Sequence, residues 1–216
     1  MSKIEPSGPA GPATTGDARL QAPATRRNRE PIAEALAGWL PDGGRLLELA
    51  SGTGEHAVYL AARFPALIWQ PSDPEPAHRR SIEAYRRIEG TENLRAPLDI
   101  DVTRSDWPLR AAVDAMFCCN MIHIAPWAVA EGLFAGAGRY LKAGGGLFLY
   151  GPFKRGGAHT APSNAAFDAS LRAQDPAWGL RDLEAVTALA VTAGLAAPQV
   201  REMPANNLSL WFARSP

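Results

Sequence analysis

A glycine-containing turn between an apolar run and a helical pattern has the residue types that hold a nucleoside-bearing ligand. The run Leu46–Leu49 leads into Gly52 and Gly54, and the helical pattern follows from Glu55. Glycines let the backbone bend sharply and approach a ligand closely, and the first turn of a helix offers unpaired N–H groups at its positive end. The spacing from Gly52 to Ala57 also satisfies the loose Gly-x-Gly-x-x-Ala fingerprint of dinucleotide-binding loops. A nicotinamide-dependent oxidoreductase therefore stays open as an alternative.

Two carboxylates near this turn favour a positively charged nucleoside over a diphosphate. Glu48 lies at the end of the apolar run, where it would repel a pyrophosphate and attract an ammonium or sulfonium group. Asp73 follows the next apolar run, nineteen residues after Gly54, where a carboxylate can accept hydrogen bonds from both ribose hydroxyls. The structural alternatives are an ion pair at a helix end for Glu48 and a capping carboxylate for Asp73.

Several short motifs together resemble a known superfamily of enzymes. Residues 26–213 resemble class I S-adenosylmethionine-dependent methyltransferases. The motifs that are similar to the poorly characterised methyltransferase-like 26 family are RN at 27–28, ELASGTGEHA at 48–57, WQPSD at 69–73, NMIH at 120–123, LYGPF at 149–153, WGLRD at 178–182 and MPANN at 203–207. One departure from the superfamily pattern is Ala50, which stands where a first glycine is common. The resemblance implies S-adenosylmethionine as the cofactor and transfer of its methyl group to a small molecule.

The resemblance also implies roles for individual residues around that cofactor. It places Arg27 and Asn28 in a segment that folds across the cofactor, with Arg27 as a clamp for the methionine carboxylate. The other implied contacts are, for the methionine moiety, Glu48, Ala50, Gly52 and Gly54; for the ribose, Asp73; for the adenine, Asp101 and Val102; and, at the mouth of the fourth strand, Asn120. A solvated loop acid at Asp101 and a basic surface stretch at Arg27 remain alternatives.

Methyl transfer from a sulfonium group mainly needs an aligned nucleophile and the exclusion of water. His123, just past the fourth strand, is the first candidate for a base, with a buried, hydrogen-bonded histidine as the alternative. Tyr150, at the end of the fifth strand, is either a donor to the nucleophile or a core residue. The stretch after it is expected to shape the substrate pocket through Phe153, Lys154, His159 and Asn164. Its basic residues either bind an acidic substrate group or are solvated.

The elements that must position these residues follow from alternating apolar runs and helical patterns, which predict strand–helix–strand units of a parallel sheet. Strands are expected near 45–50, 67–71, 95–99, 113–119, 145–151, 198–203 and 208–213, and helices near 55–64, 75–88, 126–141, 164–173 and 181–193. A leading helix with Pro31 in its first turn is expected to end near residue 40. The predicted fold class is therefore α/β: a doubly wound, Rossmann-like and mostly parallel seven-stranded sheet with a C-terminal antiparallel hairpin and helices on both faces.

Length and charge limit the domain count and the partners. A chain of 216 residues that is 46% hydrophobic suits one domain, expected over 26–216, after a disordered Pro/Gly/Ala-rich tail over 1–25. Because 22 Lys+Arg balance 22 Asp+Glu, affinity for nucleic acid or for an anionic membrane is not expected, and the expected partner is a small molecule.

Cysteine, histidine and apolar patterns limit the site type and location. Two adjacent cysteines form no disulfide framework, and four scattered histidines show no metal-ligand spacing. The sequence contains neither an apolar run of ~20 residues nor a signal-peptide core, which predicts a cytoplasmic location. The rival to an enzyme is a non-catalytic, cofactor-binding scaffold for another protein, and the sequence leaves the oligomeric state open.

Overall fold

The computed structural model describes residues 17–216, which fold around a mixed six-stranded sheet. In chain order the strands of this sheet and of a small separate hairpin are β1 Gly44–Leu49, β2 Leu67–Pro71, β3 Val113–Cys119, β4 Leu141–Gly151, β5 Lys154–Arg155, β6 Ala158–His159, β7 Gln199–Met203 and β8 Asn207–Ala213. The order across the main sheet is β2-β1-β3-β4-β8-β7, and β5 pairs with β6 in the hairpin. Strands β1 to β4 run parallel, whereas β8 is antiparallel to both β4 and β7. The carboxyl ends of β1 to β4 therefore share one edge of the sheet.

The expected seventh strand at 95–99 does not form, so the prediction of seven strands is corrected to six. This segment makes two isolated parallel bridges, Trp69–Leu94 and Ser72–Leu98. Pro97 stands between the two bridges and has no N–H group to donate to a neighbouring strand. The segment thus runs beside β2 without becoming a continuous strand. The C-terminal antiparallel pair forms as expected.

Helices pack against both faces of the sheet because side chains alternate along its strands. The helices are α1 Pro23–Leu36, α2 Glu55–Arg63, α3 Pro76–Glu89, α4 Trp127–Tyr140, α5 Pro162–Gln174 and α6 Leu183–Thr192. Leu46, Phe117 and Phe148 belong to a core that includes residues of α1, α2 and α3. The neighbouring strand positions Leu47 and Met116 belong to a second core, which includes residues of α4 and α6. One apolar layer therefore lies on each face.

The leading helix begins earlier than the sequence predicts. Helix α1 begins at Pro23, and Pro31 lies inside it rather than in its first turn. Before the helix, the Leu20 N–H donates to the Ser81 hydroxyl over 2.8 Å, and the Tyr85 hydroxyl donates to the Leu20 carbonyl over 3.1 Å. These contacts fix residues near 20 against α3. The part of the predicted tail at 1–16 lies outside the described residues.

Within residues 17–216, every helix is too short or too polar to cross a membrane.

Candidate cofactor and acceptor site

The turn after β1 exposes bare backbone at the edge where the parallel strands end. Gly52 and Gly54 have positive φ angles of 56° and 92°. No atom lies within 4 Å of the position that a Cβ of Gly52 would take, whereas a Cβ of Gly54 would lie 2.9 Å from the Ile82 Cα. Gly54 is therefore needed for packing on α3, and Gly52 leaves open space for a ligand.

Ala50 carries a cost in this turn. Its φ angle is 52°, in the left-handed region that favours glycine. An L residue there costs roughly 1–2 kcal/mol, which the surrounding structure must offset. Ala50, which stands where a glycine is common, thus has a strained backbone conformation beside the open space at Gly52.

Asp73 lies against the glycine turn, as its spacing predicted. The carboxylate is 3% exposed, and its Oδ2 accepts the Gly52 N–H over 2.9 Å. Its Oδ1 accepts the Glu75 N–H over 2.9 Å and lies 3.1 Å from the His78 Nδ1. The hydrogen bond from His78 to Asp73 raises the pKa of that histidine. Asp73 is therefore both a local cap, the alternative weighed from the sequence, and a carboxylate beside the open backbone.

Glu48, for which the sequence predicts a carboxylate that attracts a positively charged ligand group, lies in a buried environment. Its side chain is buried at 2% exposure, and the Trp69 indole N–H donates to its Oε2 over 2.5 Å. Burial raises the pKa of Glu48 to about 8, against the effect of the Trp69 hydrogen bond. The group is therefore mostly a neutral acid at pH 7, and it packs below the turn instead of presenting a charge above it.

The remaining expected cofactor residues have different environments. Asp101 accepts hydrogen bonds from the Thr103 N–H at 2.9 Å and the Thr103 hydroxyl at 2.7 Å, beside a cleft of about 270 Å³. Val102 is buried, and Arg27 is exposed. Asn120 directly follows β3 with a positive φ of 59°, and its N–H donates to the Tyr150 carbonyl over 2.8 Å.

His123 is a fully buried histidine in the short 3₁₀ turn before α4. Its Nδ1 accepts the Arg181 backbone N–H over 3.3 Å, so the neutral ring carries its proton on Nε2. Within residues 17–216 this Nε2 has no hydrogen-bond partner, and a Cβ on Gly151 would lie 2.5 Å from it. Burial lowers the pKa of His123 to about 3, and the nearby Arg181 adds to this shift. The geometry makes His123 a buried donor, and its role as a base stays a prediction.

Tyr150 lies on the α1 side of the sheet and is 4% exposed. Burial raises the pKa of its hydroxyl, and the Asn28 side chain acts in the opposite direction on that pKa. The Asn28 Oδ1 lies 2.9 Å from the His56 Nε2. Asn28 thus connects α1 with the first turn of α2.

The expected substrate residues lie around Asp168 or in the core instead of forming an open basic patch. The His159 Nε2 lies 3.0 Å from the Asp168 Oδ2, and the Lys154 Nζ lies 3.8 Å from the same oxygen. Phe153 is 1% exposed and packs edge-on against His123, with ring centroids 4.8 Å apart. Buried Asn164 donates to the Asn206 carbonyl over 3.0 Å. Their role in substrate binding stays a prediction.

A family model described as "Protein of unknown function (DUF938)" matches residues 19–214. The chain belongs to the DUF938 family. Solved structures share the fold of this DUF938 chain over 89% of its length. An O-methyltransferase family protein from Burkholderia thailandensis matches with a TM-score of 0.75 and 18% identity, over 57% of its own chain. Human N-acetylserotonin methyltransferase in complex with SAM matches with a TM-score of 0.71 and 14% identity, over 53% of its own chain.

A third match is CalO1, a methyltransferase in calicheamicin biosynthesis whose structure contains SAH. It has a TM-score of 0.67 and 15% identity, and 55% of its chain is covered. The DUF938 chain therefore spans a little more than half the length of these structures. At such identities the likeness shows a shared Rossmann-like fold.

Three polar residues of this DUF938 chain were missed by the sequence reasoning. Glu55 accepts the Ala22 N–H over 2.6 Å and the Thr53 hydroxyl over 3.1 Å, which joins the start of α1 to the glycine turn. His56 follows it, and a histidine directly after a ligand-binding turn is a signal that could have singled it out. Asp168, 6% exposed, accepts the Leu180 N–H over 2.7 Å. Arg172, four residues further along the same helix, is the one local signal of an ion pair at Asp168.

Proposed function

We propose that this chain is an S-adenosylmethionine-dependent methyltransferase with a small-molecule acceptor. The observation that carries the proposal is the open backbone of Gly52 beside the buried Asp73 carboxylate, at the carboxyl ends of β1 and β2. Ligands of open parallel sheets bind in this position. The shared fold with SAM-bound and SAH-bound methyltransferases supports the same choice of cofactor.

The residues around the edge suit the parts of such a cofactor. Asp73 would hold the ribose hydroxyls, and to do so its Oδ2 would exchange the Gly52 N–H for a ligand hydroxyl. Asp101 and Val102 would border the adenine, and Asp101 lines the cleft at that position. The turn from Ala50 to Gly54 would face the methionine moiety, with Asn120 across from it at the end of β3 and Arg27 near the carboxylate. These assignments extend the resemblance to the methyltransferase-like 26 family, which is itself a prediction.

When bound, this cofactor supplies a methyl group that is already activated on a positively charged sulfur. The protein then has to bind the acceptor, orient its nucleophilic atom and exclude water. Asn120, His123 and Tyr150 surround the end of β4, where an acceptor would meet the turn after β1. A neutral Glu48 below the turn adds no fixed negative charge there.

Isothermal titration calorimetry with SAH and, separately, with NADH tests the proposal. We expect SAH to bind with one site per chain and NADH to bind at least tenfold more weakly, because two of the solved structures that share the fold hold SAM or SAH. Tighter binding of NADH than of SAH would instead favour an oxidoreductase. Failure of SAH to bind would reject the methyltransferase proposal.

A further inference from the structure

The chain just before α1 is bound to the rest of the protein through its own backbone. We call residues 20–22 the strap. The Leu20 N–H donates to the Ser81 hydroxyl on α3 over 2.8 Å. The Ala22 N–H donates to the Glu55 Oε2, in the first turn of α2, over 2.6 Å. The position of the strap therefore depends on two side chains that belong to other elements.

The same two side chains also bind Thr53, which lies between the two glycines of the turn after β1. The Thr53 hydroxyl donates to the Glu55 Oε2 over 3.1 Å, so one oxygen accepts from both the turn and the strap. The Ser81 hydroxyl donates to the Thr53 carbonyl over 2.6 Å. Thr53 directly follows Gly52, whose open backbone marks the proposed cofactor site. Glu55 and Ser81 thus each connect the strap with the turn.

The directions of these hydrogen bonds follow from the chemistry of the groups. The Thr53 carbonyl can only accept, so the one hydroxyl proton of Ser81 is used there, and the Ser81 oxygen accepts from Leu20. A carboxylate can also only accept, so Glu55 takes its protons from Thr53 and Ala22. Ser81 is 0% exposed and Glu55 is 6% exposed, so a shift of either segment leaves buried polar groups without a partner. Movement of the strap and movement of the turn are therefore energetically linked.

We propose that Glu55 and Ser81 are positioning residues that couple the strap to cofactor binding at the glycine turn. This inference rests on the proposed function and adds a conformational control of the same site. A bound cofactor fixes Thr53, and the fixed Thr53 holds the strap more tightly through both residues. Because coupling between two sites is reciprocal, a closed strap strengthens cofactor binding by the same factor. Neither Glu55 nor Ser81 has to touch the cofactor for this effect.

Hydrogen exchange of single amides, followed by magnetic resonance, tests whether Ser81 holds both segments in the absence of ligand. Ser81→Ala removes the acceptor of the Leu20 N–H and the donor to the Thr53 carbonyl. The amides of Leu20 and Gly54 should therefore both exchange about threefold faster or more. The matched control is Ser170→Ala, which removes a hydroxyl that donates to a carbonyl of its own helix, α5, over 2.7 Å. It should leave both amides at the wild-type rates.

Addition of SAH tests the coupling itself. We expect saturating SAH to slow the exchange of the Leu20 and Ala22 amides by about fivefold or more, the lower end of the usual range for coupled sites. The internal control is the Gly144 amide, whose N–H donates to the Arg214 carbonyl over 3.0 Å near the amino end of β4. It should exchange at the same rate with and without SAH. Selective slowing at the strap would show that the ligand acts there and not only on global stability.

Variants of the two positioning residues test whether the effect passes through them. In Ser81→Ala the Ala22 amide, and in Glu55→Ala the Leu20 amide, should lose about half or more of the slowing by SAH. Both variants should also weaken SAH binding in calorimetry roughly threefold or more. Glu55→Gln should behave like the wild type, because its amide oxygen can accept from both Thr53 and Ala22.

A variant that loosens the strap alone separates coupling from simple attachment. Tyr85→Phe removes only the hydroxyl that donates to the Leu20 carbonyl. The Leu20 and Ala22 amides should exchange roughly two- to tenfold faster in this variant, the range for one lost hydrogen bond. The slowing by SAH should be the same as in the wild type, because Glu55 and Ser81 are intact.

The outcomes separate this inference from the proposed function. SAH binding that leaves strap exchange unchanged, or slowing that persists in full in Ser81→Ala and Glu55→Ala, would overturn the coupling while the proposed function stands. If the wild type does not bind SAH, the proposed function fails and the coupling to a cofactor fails with it. The exchange rates of ligand-free Ser81→Ala then still decide whether Ser81 holds both the strap and the turn.

Discussion

Replacing the buried carboxyl of Glu48 by an amide should change how the stability of the protein depends on pH. Glu48→Gln keeps an oxygen that can accept the Trp69 indole hydrogen bond, but it removes the group that titrates. In the wild type, burial raises the pKa of Glu48 from its usual 4.5 to about 8. Between these values the folded protein holds a proton that the unfolded chain releases.

The sign and the size of the effect follow from that difference in bound protons. The contribution of Glu48 to stability is fully present below pH 4.5, and it is lost as the pH rises through about 8. Each unit of pKa difference corresponds to about 1.4 kcal/mol, so the loss across the window is on the order of 5 kcal/mol. Glu48→Gln lacks this loss. The free energy of unfolding of the variant should lie close to that of the wild type at pH 5. At pH 9 it should exceed the wild-type value by several kcal/mol, which is the loss that the wild type undergoes and the variant does not.

Urea denaturation at five pH values between 5 and 9 measures this difference in the free energy of unfolding. Glu92→Gln, at an exposed position, is the control and should follow the wild-type curve throughout. Parallel curves for Glu48→Gln and the wild type, or a variant that is less stable at pH 9, would refute the conclusion that Glu48 is buried as a neutral acid.

Three further predictions concern Asp73, His123 and Asp168. Asp73→Ala should weaken SAH binding by on the order of 1–3 kcal/mol in calorimetry, the range for hydrogen bonds to a charged group, whereas exposed Asp42→Ala should not; equal losses in both variants would contradict the ribose assignment. His123 should remain neutral from pH 5 to 8 in a magnetic-resonance titration, because burial lowers its pKa to about 3, and an imidazolium signal at pH 6 would be incompatible with the structure. Asp168→Ala should lower the free energy of unfolding, measured in urea at pH 7, by roughly 2–4 kcal/mol. The variant leaves the buried Leu180 N–H and the cations of Lys154 and Arg172 without their shared acceptor. A loss below about 0.5 kcal/mol would show that the cluster contributes little to stability.

The sequence predicted the parallel part of the fold because its strands are apolar runs bounded by turn residues. It placed β1, β2 and β3 within one or two residues of their bounds, and the C-terminal pair likewise. The strand predicted at 95–99 does not form, because apolar character does not show whether a residue can donate a backbone hydrogen bond. Pro97 cannot donate one. The predicted start of α1 was wrong because it treated Pro31 as a residue of the first turn. Pro31 instead lies inside a helix whose apolar face packs on the sheet.

The sequence predicts those parts of the candidate site whose positions follow from backbone geometry. It predicts less of the parts whose properties depend on burial. The glycine turn and Asp73 lie together because spacing along a strand–turn–helix unit determines their positions. The protonation of Glu48 depends on Trp69 and on burial, which one sequence does not show. Asp168 meets Lys154 and His159 only through tertiary packing between α5 and the β5–β6 hairpin. His56 and Asn28 are 28 residues apart, and no local pattern connects them.

A crystal structure of the protein with SAH tests the central claim most directly, because it shows where the nucleoside lies. We expect the ligand over Gly52, with both ribose hydroxyls within hydrogen-bonding distance of the Asp73 carboxylate and the sulfur facing the end of β4. Occupation of any other part of the molecule, with the Gly52 N–H still donating to Asp73, would contradict the account.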